Sequence, residues 1–182
     1  MKDEWIDIIN DNLSFVKACL KSKTHKYGWL HATVHIWFYT NNGQILLQKR
    51  SETKIAFPNL WDISVAGHIS SGESKISAAI REIQEEIGLK ITEDKLEYIG
   101  TFRETHRHGH YFTDNEVHFV YLAKLDIELD QLKIQQEELS ALKLIPLNVY
   151  QKDLKKPNYD KKYVPHYPKY YDFVLNEISK RL

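Results

Sequence analysis

Two periodicities dominate the hydrophobic pattern of the chain. From His31 to Tyr39, HATVHIWFY, the residues are rich in β-formers. A period of two puts Ala32, Val34, Ile36 and Phe38 on one face and His31, Thr33, His35, Trp37 and Tyr39 on the other, so the segment predicts a strand. Asn41-Asn42-Gly43 then signals a hairpin turn into a second strand, Gln44–Arg50. Further on, Ile76, Ile80, Ile83 and Ile87 recur at i, i+4, i+7 and i+11, the stripe of a helix expected over Ser74–Ile87, with Ala78 and Ala79 as close-packing positions.

Around these anchors the pattern fills in. Residues 4–20 predict two short strands about the turn Asn10-Asp11-Asn12, with Trp5, Ile6, Ile8 and Ile9 as the apolar part. Pro58 breaks the chain in a loop, and Leu60–Ala66 reads as one short strand leading into a glycine-rich turn. Strands are expected at Leu96–Thr105, Val117–Lys124 and Leu142–Pro146, and helices at Leu147–Lys155 and Lys169–Leu182. The Pro-, Tyr- and Lys-rich stretch Lys156–Pro168 reads as irregular. Strands and helices mixed this way imply an α/β chain, and 182 residues without repeat, low-complexity tract or linker suit one domain over 1–182.

Composition narrows the classes. Hydrophobic residues make up 42% and charged residues 27%, as in globular proteins. The formal net charge of +0 gives no reason to expect nucleic acid or a membrane surface as partner. Cys19 is the one cysteine, which rules out an intrachain disulfide framework. The opening MKDEWIDIIND lacks an apolar signal core, and no apolar run approaches the ~20 residues that span a bilayer. A cytoplasmic location is the default expectation, with the oligomeric state open and a homodimer one alternative.

The chemistry concentrates in GHISSGESKISAAIREIQEEIGL, residues 67–89. Glu82, Glu85 and Glu86 stand three and four apart, hence on one helical face, where like charges repel by roughly 0.2–0.5 kcal/mol per pair. Such a gathering calls for a cation, and clustered oxygens suit magnesium or manganese, with substrate phosphates and water completing the shell. Arbitrary Glu-rich helices are more often solvated faces, but here glycines, Glu73 and Arg81 frame the carboxylates. Gly88 fits a helix C-cap.

The segment resembles a complete Nudix box, G-x5-E-x7-R-E-U-x-E-E-x-G-U, where U is aliphatic. All nine defined positions match, with Ile83 and Leu89 as the aliphatic ones. The resemblance implies an α/β/α sandwich with a mixed sheet and a metal-dependent hydrolase of organic diphosphates. It also implies Glu82, Glu85 and Glu86 as metal carboxylates, Gly67 at the metal, a structural pair of Glu73 and Arg81, and no cofactor beyond Mg2+ or Mn2+. Glu82 is the first choice of general base, with Glu116 or Glu138 outside the box as alternatives.

A second resemblance is to the branch that includes type I isopentenyl-diphosphate isomerase. It rests on LHATVHIWFYTNNGQILLQKRS and WDISVAGHISSGE. It places His31, His68, Asp114 and Glu116 at positions that hold metal and catalytic acid in the isomerase, and Arg50 where related enzymes keep a basic residue near phosphate. The departure is Ala66, which stands in place of the isomerase's catalytic cysteine. The expected function is therefore hydrolysis of a nucleoside, thiamine or isoprenoid diphosphate, with isomerase as the alternative and a non-catalytic nucleotide-binding regulator ranked below it. Against every ligand role for His31, His35, His68 and His118 stands the ordinary one of hydrogen-bonded core histidines. The run His106-Arg107-His108-Gly109-His110 is expected at an exposed hairpin tip.

Overall fold

The computed structural model describes residues 3–182; Met1 and Lys2 of the expected 1–182 domain lie outside the described residues. The chain opens with the hairpin β1 (Trp5–Ile9) and β2 (Phe15–Leu20), whose turn is held by Asn10 Oδ1 accepting from the backbone N–H groups of Asn12 and Ser14, both at 3.0 Å. An unanticipated helix follows, α1 (Lys21–Tyr27), closed by Gly28 in the left-handed region at φ 63°. Its sequence, KSKTHKY, carries no apolar stripe, and so gives none of the periodicity that announces a helix.

Next come β3 (His31–Tyr39) and β4 (Gln44–Arg50) as expected. The expected strand Leu60–Ala66 is instead two pieces, β5 (Trp61–Asp62) and β6 (Val65–His68). The reason is that β5 pairs with β4 and β6 with β3, so the chain must cross between them. Ser64 at the crossing donates to the Leu46 carbonyl at 2.6 Å and accepts from Phe38 N at 2.8 Å. Then follow α2 (Lys75–Ile87), β7 (Glu97–Arg107) and β8 (Thr113–Lys124). The β7–β8 hairpin runs further than hydrophobicity indicated because polar residues continue the ladder, pairing Glu104 with Glu116 and His106 with Asp114. The last elements are β9 (Leu139–Pro146), α3 (Leu147–Leu154) and α4 (Pro168–Ser179), where proline fills the first helical turn.

β3 is the axis of the mixed sheet. One edge pairs in parallel with β8 along its whole length, and the other runs antiparallel to β6. The alternation of β3 divides the interior. Val34, Ile36 and Phe38 pack with Ala78, Ala79, Ile83 and Ile87 of α2. Trp37 and Tyr39 pack with Tyr150 of α3 and with Tyr170, Val174 and Ile178 of α4. The result is a three-layer α/β/α sandwich. In α2, Ile83 and Ile87 are fully buried, whereas Ile76 and Ile80 pack at the margin.

Candidate functional site

The glycine-rich turn delivers α2 in a fixed pose. Ser74 caps its N-terminus, its Oγ accepting from Ser77 N at 3.1 Å, and Gly88 closes its C-terminus at φ 69°. Arg81 locks loop to helix. Its Nε and Nη2 donate to the two oxygens of Glu73 at 3.0 and 2.8 Å, a bidentate pair, while Nη2 also reaches the His68 carbonyl at 2.9 Å. Glu73 Oε2 in turn accepts from Ser70 N at 3.1 Å. Glu73 and Arg81 thus brace the strand end, the turn and the helix together.

Gly67 is where β6 meets α2. A Cβ there would lie 1.9 Å from Glu82 Cδ, so only glycine admits the carboxylate. Glu82 accepts from Arg81 at 2.8 Å, Glu85 at the rim accepts from the same Nη1 at 3.0 Å, and buried Glu86 accepts from Ala66 N at 3.3 Å. Burial, followed by the charge of Glu82, pushes the Glu86 carboxyl up to about 8. Burial also raises Glu82, against the pull of Arg81. These groups need positive charge that Arg81, at one edge, does not fully provide. A hard divalent cation held by the three carboxylates and the Gly67 backbone fits such an oxygen set.

A second group lies across β6. His25 from α1, His31 from β3, His68 from β6 and Glu116 from β8 bring their ligand atoms within 4.8 Å of one another. His25 Nε2 faces His68 Nε2 at 3.0 Å, and Glu116 Oε1 lies 3.4 Å from His31 Nε2 and 3.7 Å from His68 Nε2. Asp114 joins through His25 Nδ1 at 2.9 Å and is held from outside by His108 Nε2 at 2.9 Å. His31 Nδ1 is paired with the Trp29 carbonyl at 2.8 Å, which leaves its Nε2 buried without a hydrogen-bond partner. Burial drives the His68 imidazole well below its ordinary value, aided by Lys21 and neighbouring histidines. Burial would raise Glu116, but the His31 imidazole 3.4 Å away leaves it lowered. Imidazole nitrogens gathered about a carboxylate are suited to a cation.

The structure therefore brings together His31, His68, Asp114 and Glu116, and separately Gly67, Glu82, Glu85 and Glu86. Arg50 is engaged elsewhere: its Nη1 pairs with Asp62 Oδ2 and its Nε donates to the Ala56 carbonyl, each at 3.0 Å. Of the hairpin-tip histidines, only His110 is exposed. His106 lies in β7, and His108 turns inward to Asp114, with the Phe57 ring edge-on to both. Glu138 pairs with Lys54. Sequence reasoning missed His25, which sits on the unanticipated α1, and Lys54, which lies in a loop without pattern. Burial and repulsion from Arg50 bring Lys54 down to about 8, while the charges of Glu86 and Glu82 pull the other way.

The NUDIX domain family matches residues 29–167, and the chain belongs to that family. It is 38% identical to Nudix hydrolase 3 of Arabidopsis thaliana over 163 residues, which is 85% of this chain but only 21% of the plant protein, so the chain spans about a fifth of that relative. It is 34% identical to the isopentenyl-diphosphate Delta-isomerase of Escherichia coli O127:H6 over 111 residues, 60% of this chain and 58% of the isomerase. Among solved structures, DR0079 of Deinococcus radiodurans superposes with a TM-score of 0.65 over 97% of this chain and 98% of that one, at 18% identity.

Proposed function

We propose that the chain is a metal-dependent hydrolase of the diphosphate linkage in a nucleoside diphosphate derivative or a similar organic diphosphate. The observation that carries this reading is the pair of carboxylates, half-buried Glu82 and buried Glu86, closed over Gly67 by Arg81 and Glu73. Glu82, Glu85 and Glu86 would hold Mg2+ or Mn2+. An ion there would lower the pKa of water bound to it and would offset charge building on the phosphate oxygens. The protein's own part is to hold the diphosphate and take the proton. Lys54 and Lys21 supply positive charge near the box, since each is felt by His68 and Lys54 by Glu86. Glu82, whose carboxyl is raised toward neutrality, is the base we favour, ahead of Glu116 and Glu138.

The cluster of His25, His31, His68, Asp114 and Glu116 favours a second reading, isomerisation of isopentenyl diphosphate, because His31, His68, Asp114 and Glu116 resemble the isomerase branch and the fold brings them together. Ala66, in register with His35, has no ionisable group to move the proton that isomerisation requires. We therefore assign the cluster to a second metal ion or to orientation of the substrate. Phosphate release from a panel of nucleoside, thiamine and isoprenoid diphosphates, with magnesium or manganese, tests the proposal. Incubation with isopentenyl diphosphate in deuterated water separates the readings. Hydrolysis without deuterium uptake is expected; deuterium in a dimethylallyl product, formed faster than phosphate, would overturn the assignment.

A further inference from the structure

A third group of side chains lies beyond both sets, where the β7–β8 hairpin meets the segment before α4. Glu104 and His106 stand two apart on β7, and His166 comes from the segment leading into α4. Their ligand atoms all lie within 4.8 Å of one another. His166 Nδ1 is 2.6 Å from Glu104 Oε2, and His106 Nε2 is 3.5 Å from the same oxygen. His118 Nε2, from β8, is 3.4 Å from it.

The outer atoms of these groups are already committed. His166 Nε2 pairs with Asp62 Oδ1 at 3.0 Å, and Asp62 is held by Arg50 at 3.0 Å. Glu104 Oε1 accepts from Tyr167 N at 2.5 Å, and His118 Nδ1 pairs with Thr33 Oγ1 at 2.7 Å. A carboxylate behind a histidine, and a backbone donor behind a carboxylate, are the supports that orient metal ligands. A bridge of His166 between Asp62 and Glu104 would account for His166 as ordinary polar core. It leaves the buried Nε2 atoms of His106 and His118 without hydrogen-bond partners, each at a cost of about 1–3 kcal/mol.

We propose that Glu104 Oε2, His106 Nε2 and His166 Nδ1 form a binding site for a zinc-class divalent ion, distinct from the box and from the His25–Glu116 cluster. Two imidazoles and one carboxylate suit zinc far better than magnesium. Bonds of about 2.0–2.1 Å at tetrahedral angles set ligand atoms roughly 3.3 Å apart. The His106–Glu104 separation of 3.5 Å already matches this, and the Glu104–His166 pair, now hydrogen-bonded at 2.6 Å, would open by less than an ångström as that bond gives way to the ion. His118 Nε2, 3.4 Å from the same Glu104 oxygen, stands beside the fourth position. The ion would staple the segment before α4 to β7, and it makes Arg50 a positioning residue that holds Asp62 behind His166.

The test is zinc titration of chelator-treated protein carrying Glu86→Gln, His31→Ala and His68→Ala, which remove one ligand of the box and two of the His25–Glu116 cluster, followed by calorimetry and thermal melting. One zinc equivalent is expected to remain, with a thermal midpoint raised by several degrees. Adding His106→Ala, at a half-buried rim position, should weaken that binding by about a hundredfold or more. Cobalt should give visible absorption bands in the first protein and lose them in the second. In the otherwise unchanged chain, His106→Ala should lower the bound zinc by one equivalent, so the test does not depend on folding of the background variant. A folded background protein that takes up no zinc, or the same affinity and stoichiometry with and without His106, would overturn the proposal.

Discussion

At Glu86 two demands oppose each other. The carboxylate is 4% exposed and faces Glu82, an arrangement unfavourable to an ion-free fold, yet the proposed chemistry needs it. Glu86→Gln keeps the shape and removes the charge. Phosphate release should fall to near background, while ion-free stability should hold or rise by about 1 kcal/mol as the like-charge repulsion is lost. Urea midpoints with and without magnesium check this, since only the unchanged protein should be stabilised by the ion. Near-normal turnover by the variant would remove Glu86 from the metal site. The box carboxylates were legible because the spacing of three and four fixes a helical face. His25 and Lys54 were not, because what gives them meaning is proximity across 43 residues to His68 and 84 residues to Glu138, and no local spacing encodes that.

Among the elements, α2 was readable to within a residue because an apolar stripe, a serine cap and a glycine stop agree. α1 and the split of β5 from β6 were not, the first for want of a stripe and the second because only the neighbours of a strand reveal where the chain changes partner. The end of α2 yields a prediction. Gly88 is left-handed, and a Cβ would meet Lys133 Cβ at 3.0 Å and its carbonyl at 3.2 Å. That neighbour cannot easily withdraw, since Lys133 N donates to the Ile87 carbonyl at 2.9 Å and Gln135 N to that of Glu86 at 3.0 Å. Gly88→Ala should therefore cost about 1–2 kcal/mol. A urea midpoint unchanged from that of the parent protein would show that this corner relaxes freely.

For the whole molecule, the alternation of β3 was enough to foresee two packed faces, but which helices cover them had to come from the structure. One contact ties the late chain to the sheet. Lys143 of β9 lies with its Nζ 3.7 Å above the Trp61 ring of β5 and 5.2 Å from that of Tyr163, where Trp61 and Tyr163 pair in an isolated parallel bridge. Burial first, and then repulsion from Lys162, bring the amine down from its ordinary value near 10.5 to about 8. The ring faces favour the charged form and Asp153 pulls the same way, while burial, Lys162 and Lys49 oppose it. Between pH 8 and 10.5 the unfolded chain therefore holds a proton at this site that the folded chain has released. The site's unfavourable contribution is fully present below pH 8 and disappears as pH rises to 10.5. Lys143→Met keeps the apolar stem on Trp61 and removes the charge. It should be more stable than the parent by about 1 kcal/mol at neutral pH, because Lys143 retains part of its surface in water. That advantage should shrink to nothing by pH 10.5. Paired urea titrations across this range measure the difference directly and cancel the tyrosines that titrate alongside. A stability difference that does not change with pH would show that Lys143 keeps its ordinary proton affinity in the folded chain.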